Sequence, residues 1–239
     1  MNSRNAVMRL IFEDANWYFV KLMLLFITVP LTIVWIIAGL VFGLDRETVA
    51  AISGPAYFFC AGFGLFGFKS LFAISIGMGS TREQFLKAFY SVGLGGVIFS
   101  ILCLNICQYA LVTIYQWNSV EAGILHAAKL FLNEYHFFNY LWIDLMVGLA
   151  CFGLTFFGYA IVYRVGFIRS VIMLMVVTVA GIFLYYGGTI SALFEWISNF
   201  KMSAMAVVSC VGAVSLAALF ITYPMLRHAP LHPMPRKGR

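Results

Sequence analysis

Six apolar runs, each long enough to cross a lipid bilayer, follow one another along the chain with more polar stretches between them. A transmembrane helix needs about 20 mainly apolar residues to cross a hydrocarbon core of roughly 30 Å. The chain is therefore read as an all-α, polytopic integral membrane protein with six transmembrane helices, most of it inside the bilayer. Composition agrees, since 63% of residues are hydrophobic and 10% charged, against about a quarter charged in soluble domains.

The runs are expected at 19–42, 56–76, 88–117, 139–163, 170–186 and 202–226. That divides the chain into an amphipathic segment (1–18), a six-helix transmembrane domain (19–226) and a basic tail (227–239). In the first segment Val7, Leu10, Ile11, Trp17 and Tyr18 fall on one side, while Arg4, Arg9, Glu13 and Asn16 fall off it. This spacing suits a short helix lying along the membrane surface. The charges of the segment, Asp14 included, leave no continuous apolar core, so it is not read as a cleaved leader. Pro30 is expected to bend the first span or be accommodated by neighbours. Gly62, Gly64 and Gly67 in the second run, and Gly93, Gly95 and Gly96 in the third, allow helices to approach closely.

Between the third and fourth runs, Val120, Ile124, Ala128, Phe131 and Tyr135 recur at helical spacing against Glu121, Lys129 and Glu134. An amphipathic helix outside the membrane is the expectation there. Leu193, Trp196, Ile197 and Phe200 suggest a second short one before the last run.

Charge orients the spans. Arg4, Arg9, Lys21, Arg82, Lys87, Arg164, Arg169, Arg227, Arg236, Lys237 and Arg239 fall on the side of the termini, and Arg46, Lys129 and Lys201 on the other. Lys and Arg are retained on the cytoplasmic side, so both termini are expected in the cytoplasm of a cell membrane. The net charge of +6 is explained by this bias and calls for no nucleic-acid partner; the tail can still touch anionic lipid.

On the same side lies a polar interruption at 77–87, Gly-Met-Gly-Ser-Thr-Arg-Glu-Gln-Phe-Leu-Lys. Ser80 followed three residues later by Glu83 fits a capping box, so a helix is expected to start at Ser80. Phe85 and Phe89, four apart, share a face able to enter an apolar groove on a partner.

No complete catalytic site is legible, and the chain is not read as an enzyme. His126, His136, His228 and His232 lack metal-ligand spacing, and no metal site is expected. The phosphate-binding pattern Gly-x-x-x-x-Gly-Lys-Ser/Thr is absent, so any ATP used must be bound by another chain. Cys60, Cys103, Cys107, Cys151 and Cys210 all sit in apolar runs and read as packing residues. Charge within a bilayer is costly and usually faces protein or water, which singles out Lys69 and Asp144. Together with Asn105 and Gln108 they either line a translocation path or serve structure, Lys69 by snorkelling and the others by gluing helices together.

Six spans, cytoplasmic termini, a surface-lying first segment and Gly-x-Gly-Ser-Thr-Arg-Glu-Gln-Phe between the second and third spans resemble the permease subunits of type-two ATP-binding-cassette transporters, mostly exporters. The resemblance implies that the 77–87 loop supplies a coupling helix. Ser80, Thr81, Arg82, Glu83, Gln84 and Phe85 would then contact an ATPase subunit that binds ATP and Mg. A second permease, identical or related, would complete the assembly, which would export a hydrophobic or amphipathic substrate such as a drug, peptide or lipid. The permease itself would hold no cofactor. The alternatives are an ion- or proton-coupled carrier using Lys69 and Asp144, and a membrane scaffold that transports nothing.

Overall fold

The computed structural model describes residues 3–45, 48–130, 135–192 and 203–227. Arg46, the second amphipathic piece from Leu193 to Phe200, Lys201 and the tail with His228 and His232 lie outside the described residues. Six helices are long and apolar enough to cross a membrane: α1 (Asn5–Phe42), α2 (Ser53–Gly77), α3 (Arg82–Trp117), α4 (Phe137–Val165), α5 (Phe167–Tyr186) and α6 (Met205–Arg227). They alternate in direction. One end of the bundle carries the start of α1 and the α2–α3 and α4–α5 turns and is called here the Thr81 face. The other, the His126 face, carries the α1–α2 and α3–α4 connections.

The helix runs unbroken across the expected junction between a surface segment and a first span. At Ala15 the backbone stays helical, with φ −62° and ψ −39°, and passes into π-helical turns over Asn16–Thr28. Nothing between Ala15 and Thr28 breaks a helix, and Val7, Ile11, Ala15 and Phe19 continue one buried stripe across the expected junction. Pro30 stands where the π-helical turns pass into the α-helical stretch Val29–Phe42, and the helix continues through it. The Thr28 hydroxyl donates to the Met23 carbonyl at 3.0 Å and the Thr32 hydroxyl to that of Thr28 at 2.7 Å.

The expected amphipathic helix between α3 and α4 does not form in its described part. Gly123–Ile124 is instead a short strand, β2, paired in parallel with β1 (Val49–Ala50), Val49 opposite Gly123 and Ala50 opposite Ile124. A 3-10 turn, Ala127–Leu130, follows. Gly123 is a poor helix former, and Ser119, at φ 53°, turns the chain out of α3. Ile124 and Ala128 are still buried, so the apolar spacing is met by a strand and a tight turn.

Phenylalanines from α2, α3 and α4 form the centre of the core. Phe63 stacks on Phe89 at 5.4 Å, Phe89 lies 5.2 Å from Phe156, and Phe68 meets Phe85 edge-on at 5.5 Å. Phe19 of α1 joins them at 4.9 Å from Phe63. Small residues set the helix spacing: a Cβ on Gly64 would come within 2.9 Å of the Phe152 carbonyl oxygen, and one on Gly153 within 2.5 Å of that of Ser215. Helix α5 stands out from the bundle with no buried residue. Cys210 is exposed on α6, so it does not pack in the core with Cys60.

Candidate functional site

Two polar features stand out, one at each end of the bundle. At the Thr81 face, Gly79 takes a left-handed φ of +83° and closes α2. The helix start comes one residue later than expected. The Thr81 hydroxyl accepts from the Gln84 backbone N–H at 3.2 Å, and the Gln84 side-chain oxygen accepts from the Thr81 N–H at 3.2 Å. Thr81 and Gln84 thus form the capping box, in place of Ser80 and Glu83. Ser80 is buried and its hydroxyl donates to the Ser75 carbonyl at 2.8 Å, so it tethers the end of α2 and is not free to cap.

The side chains of this first turn divide sharply. Thr81 is exposed, and Arg82, Glu83 and Gln84 are half-buried. Glu83 pairs with Lys87 at 2.7 Å and lies 3.8 Å from Arg227 of α6. Phe85 was expected to meet a partner but is fully buried, packed against Phe68 and Phe72 of α2. The correction has a plain cause: the α2–α3 turn is tight enough to fold the apolar side of the new helix back onto the helix it has just left. Phe85 and Phe89 therefore anchor the turn to the core.

The second feature is a buried polar node beneath the His126 face. Asp144 of α4 is fully buried. Its Oδ2 accepts from the Asn105 amide of α3 at 2.9 Å, and its Oδ1 accepts from the Tyr57 hydroxyl of α2. His126, also fully buried, brings Nε2 to 2.7 Å from Oδ1, with the ring N–H turned off that line. The other ring nitrogen, Nδ1, accepts from the Ala128 backbone N–H at 2.9 Å. That places the ring proton on Nε2. Tyr140 stacks on the ring at 4.3 Å. Beside it, burial pushes the Tyr135 phenol up to about 12, and the charge of Asp144 adds to the effect.

Asn105 and Asp144 are thus in direct contact. Gln108, one turn along α3, is buried with neither side-chain polar atom partnered, and is not bonded to Asp144. Lys69 is exposed. It lies twelve residues, about 18 Å, along α2 from Tyr57, and its neighbour Phe68 packs on Phe85, so its root is near the Thr81 face and far from Asp144. Sequence reasoning missed Tyr57 and His126. The signal available was Asp144 itself, because a carboxylate deep in an apolar bundle needs donors, and Tyr57 sits only one turn into α2.

Among the described residues no three His, Cys, Asp or Glu side chains converge as a metal site would need. The node can hold four elements together or hold a proton; it contains no nucleophile paired with a base. Comparison of the chain with protein-family models, curated proteins and solved structures finds no match, so its role has to be read from its own residues.

Proposed function

We propose that the chain is the permease subunit of a type-two ATP-binding-cassette transporter that moves a hydrophobic or amphipathic substrate out of the cell. The observation that carries this reading is the helix start at Thr81. Polar groups of the first two helical turns, Thr81, Arg82, Glu83, Gln84 and Lys87, lie at the end of the bundle, while Phe85 between them is buried among the phenylalanines of α2. A force applied to the turn by a partner is thereby delivered to α2, α3 and α4 together. The basic excess at this end orients it to the cytoplasm, where an ATPase subunit holding ATP and Mg would dock. Of the coupling residues, Thr81, Arg82, Glu83 and Gln84 make the contact; Ser80 and Phe85 hold the turn in place. A second permease faces this one across the membrane plane, and substrate passes as the two change packing. Coupling of this kind needs different contacts in two states.

Native co-purification tests the reading. An ATPase chain should accompany the wild type and be lost on Arg82→Glu, with the variant's thermal stability unchanged. Transport by the purified chain alone, without ATP, would overturn it.

One observation favours a second reading, a proton- or ion-coupled carrier. A carboxylate buried in a membrane bundle is a usual component of proton paths, and Asp144 is such a group. That reading requires Asp144→Asn to abolish transport and loss of any ATPase partner to leave it intact. Lys69 does not contribute to the node.

A further inference from the structure

Two cavities beside α1 and α3 join into one amphipathic groove. The first, about 530 Å³, is lined by α1 from Met8 through Phe12, Asn16 and Phe19 to Val20, and by α3 from Ser91 through Gly95 to Phe99. The second, about 370 Å³, is lined by Met8, Thr81, Glu83, Gln84, Lys87 and Ser91. Met8 and Ser91 line both, so the polar chamber and the apolar one adjoin. Each falls within the 300–1,000 Å³ typical of ligand sites.

The polarity changes along the membrane normal. From Ser91 to Phe99 the apolar chamber follows α3 for eight residues, about 12 Å, most of the roughly 15 Å depth of one leaflet's hydrocarbon. From Thr81 to Ser91 the polar chamber follows it for another 15 Å or so, toward the Thr81 face. Gly95 opens the groove, because a Cβ there would meet nothing within 4 Å. Phe12 and Phe99 form exposed lips. Asn16 and Ser91 are the polar side chains of the apolar chamber. The polar chamber offers one cation and one anion, Lys87 and Glu83, with the hydroxyls of Thr81 and Ser91 and the Gln84 amide. The two charges pair with each other at 2.7 Å, and Arg227 of α6 lies 3.8 Å from Glu83, so the charges at this end carry both signs.

We propose that this groove binds one glycerophospholipid of the leaflet at the Thr81 face, with a phosphate and a primary ammonium in its headgroup. One acyl chain runs along Gly95 and Gly96 between Phe12 and Phe99. The phosphate meets Lys87, Thr81 and Gln84, and the ammonium donates to Glu83. A choline headgroup lacks N–H donors for Glu83, and a purely anionic headgroup places charge against that carboxylate. The proposal rests on the chain spanning a membrane and not on transport by any mechanism; because Thr81, Glu83 and Gln84 are also the residues proposed to meet an ATPase, headgroup and ATPase compete for them.

The test uses the full chain in vesicles of equimolar ethanolamine, choline and glycerol phospholipids, one of the three at a time carrying a photoactivatable acyl chain, followed by peptide mapping. The ethanolamine lipid should label residues 8–20 and 91–99 above α5, which has no buried residue and reports ordinary lipid contact. Gly95→Leu, which fills the groove without backbone strain, should lower that label about tenfold. Gly158→Leu, a matching change where a Cβ also meets nothing within 4 Å, should leave it unchanged. Lys87→Glu should remove the preference for the ethanolamine lipid. Equal labelling of α5 and the groove, equal labelling by all three lipids, or equal loss in the two glycine variants would overturn the proposal. The wild-type map decides the matter even if Gly95→Leu does not fold.

Discussion

Replacing Asp144 separates its role as a structural node from its role as a charge. Asp144→Ala removes the acceptor for two buried donors, the Tyr57 hydroxyl and the Asn105 amide, and the group facing His126 Nε2. An orphaned buried donor costs roughly 1–3 kcal/mol. Unfolded helices within a membrane also find partners, which holds interhelical bonds to about 0.6 kcal/mol on average and about 1.7 at most, so Asp144→Ala, which orphans two donors, should cost about 1–3 kcal/mol. Asp144→Asn should cost less. Its oxygen can still face Tyr57 and His126, and its amide nitrogen would face Asn105, whose Oδ1 has no partner. A half-turn of the Asn105 amide supplies the acceptor at the expense of its 3.1 Å bond to the Ile101 carbonyl, about 0.5–1.5 kcal/mol. Unfolding in mixed micelles, followed by tryptophan fluorescence with Trp142 two residues from the site, measures both variants. Equal destabilisation by the two, or an Asp144→Ala protein as stable as the wild type, would refute this account of the node.

Three further outcomes follow from the packing. Thr81→Ala removes one half of the capping box and should cost about 1 kcal/mol, seen as faster amide exchange at residues 82–85 with the rest of α3 unaffected. Phe85→Ala empties a fully buried site and should cost about 3–5 kcal/mol, whereas Arg82→Glu should leave the melting temperature within a degree or two of wild type, as surface changes generally do. Gly153→Ala forces α4 away from the α6 backbone at Ser215 and should cost about 1–3 kcal/mol, visible as a lowered unfolding midpoint.

The six helices were legible because a run of apolar residues long enough to cross a bilayer leaves the chain few choices. The finer register was not. Ser80-x-x-Glu83 and Thr81-x-x-Gln84 both satisfy the capping pattern, and what selects between them is the Ser80 bond to a carbonyl five residues back, which no local pattern reveals. The Phe85–Phe89 face was read correctly as apolar, but its partner is α2 of the same chain, a consequence of how tightly the Gly79 turn folds. Between α3 and α4 the spacing of Val120, Ile124 and Ala128 mimicked a helix, while pairing with β1 across 74 residues decided for a strand. Asp144 and Asn105 declared themselves as polar residues in apolar runs. His126 did not, because in a polar connection a histidine carries no signal of burial; its role comes from the fold that lays Ala127–Leu130 over α4.

The central claim is that the turn at Thr81 receives force from an ATPase. Purification of the chain with its native partners, in wild-type and Arg82→Glu forms, tests it most directly through the ATP hydrolysis of the recovered complex. The account predicts an ATPase subunit bound to the wild type with substrate-stimulated hydrolysis, and loss of both in the variant at unchanged thermal stability. A variant that keeps the same subunit and the same stimulated hydrolysis, or a wild type that brings down no ATPase and transports alone, would contradict it.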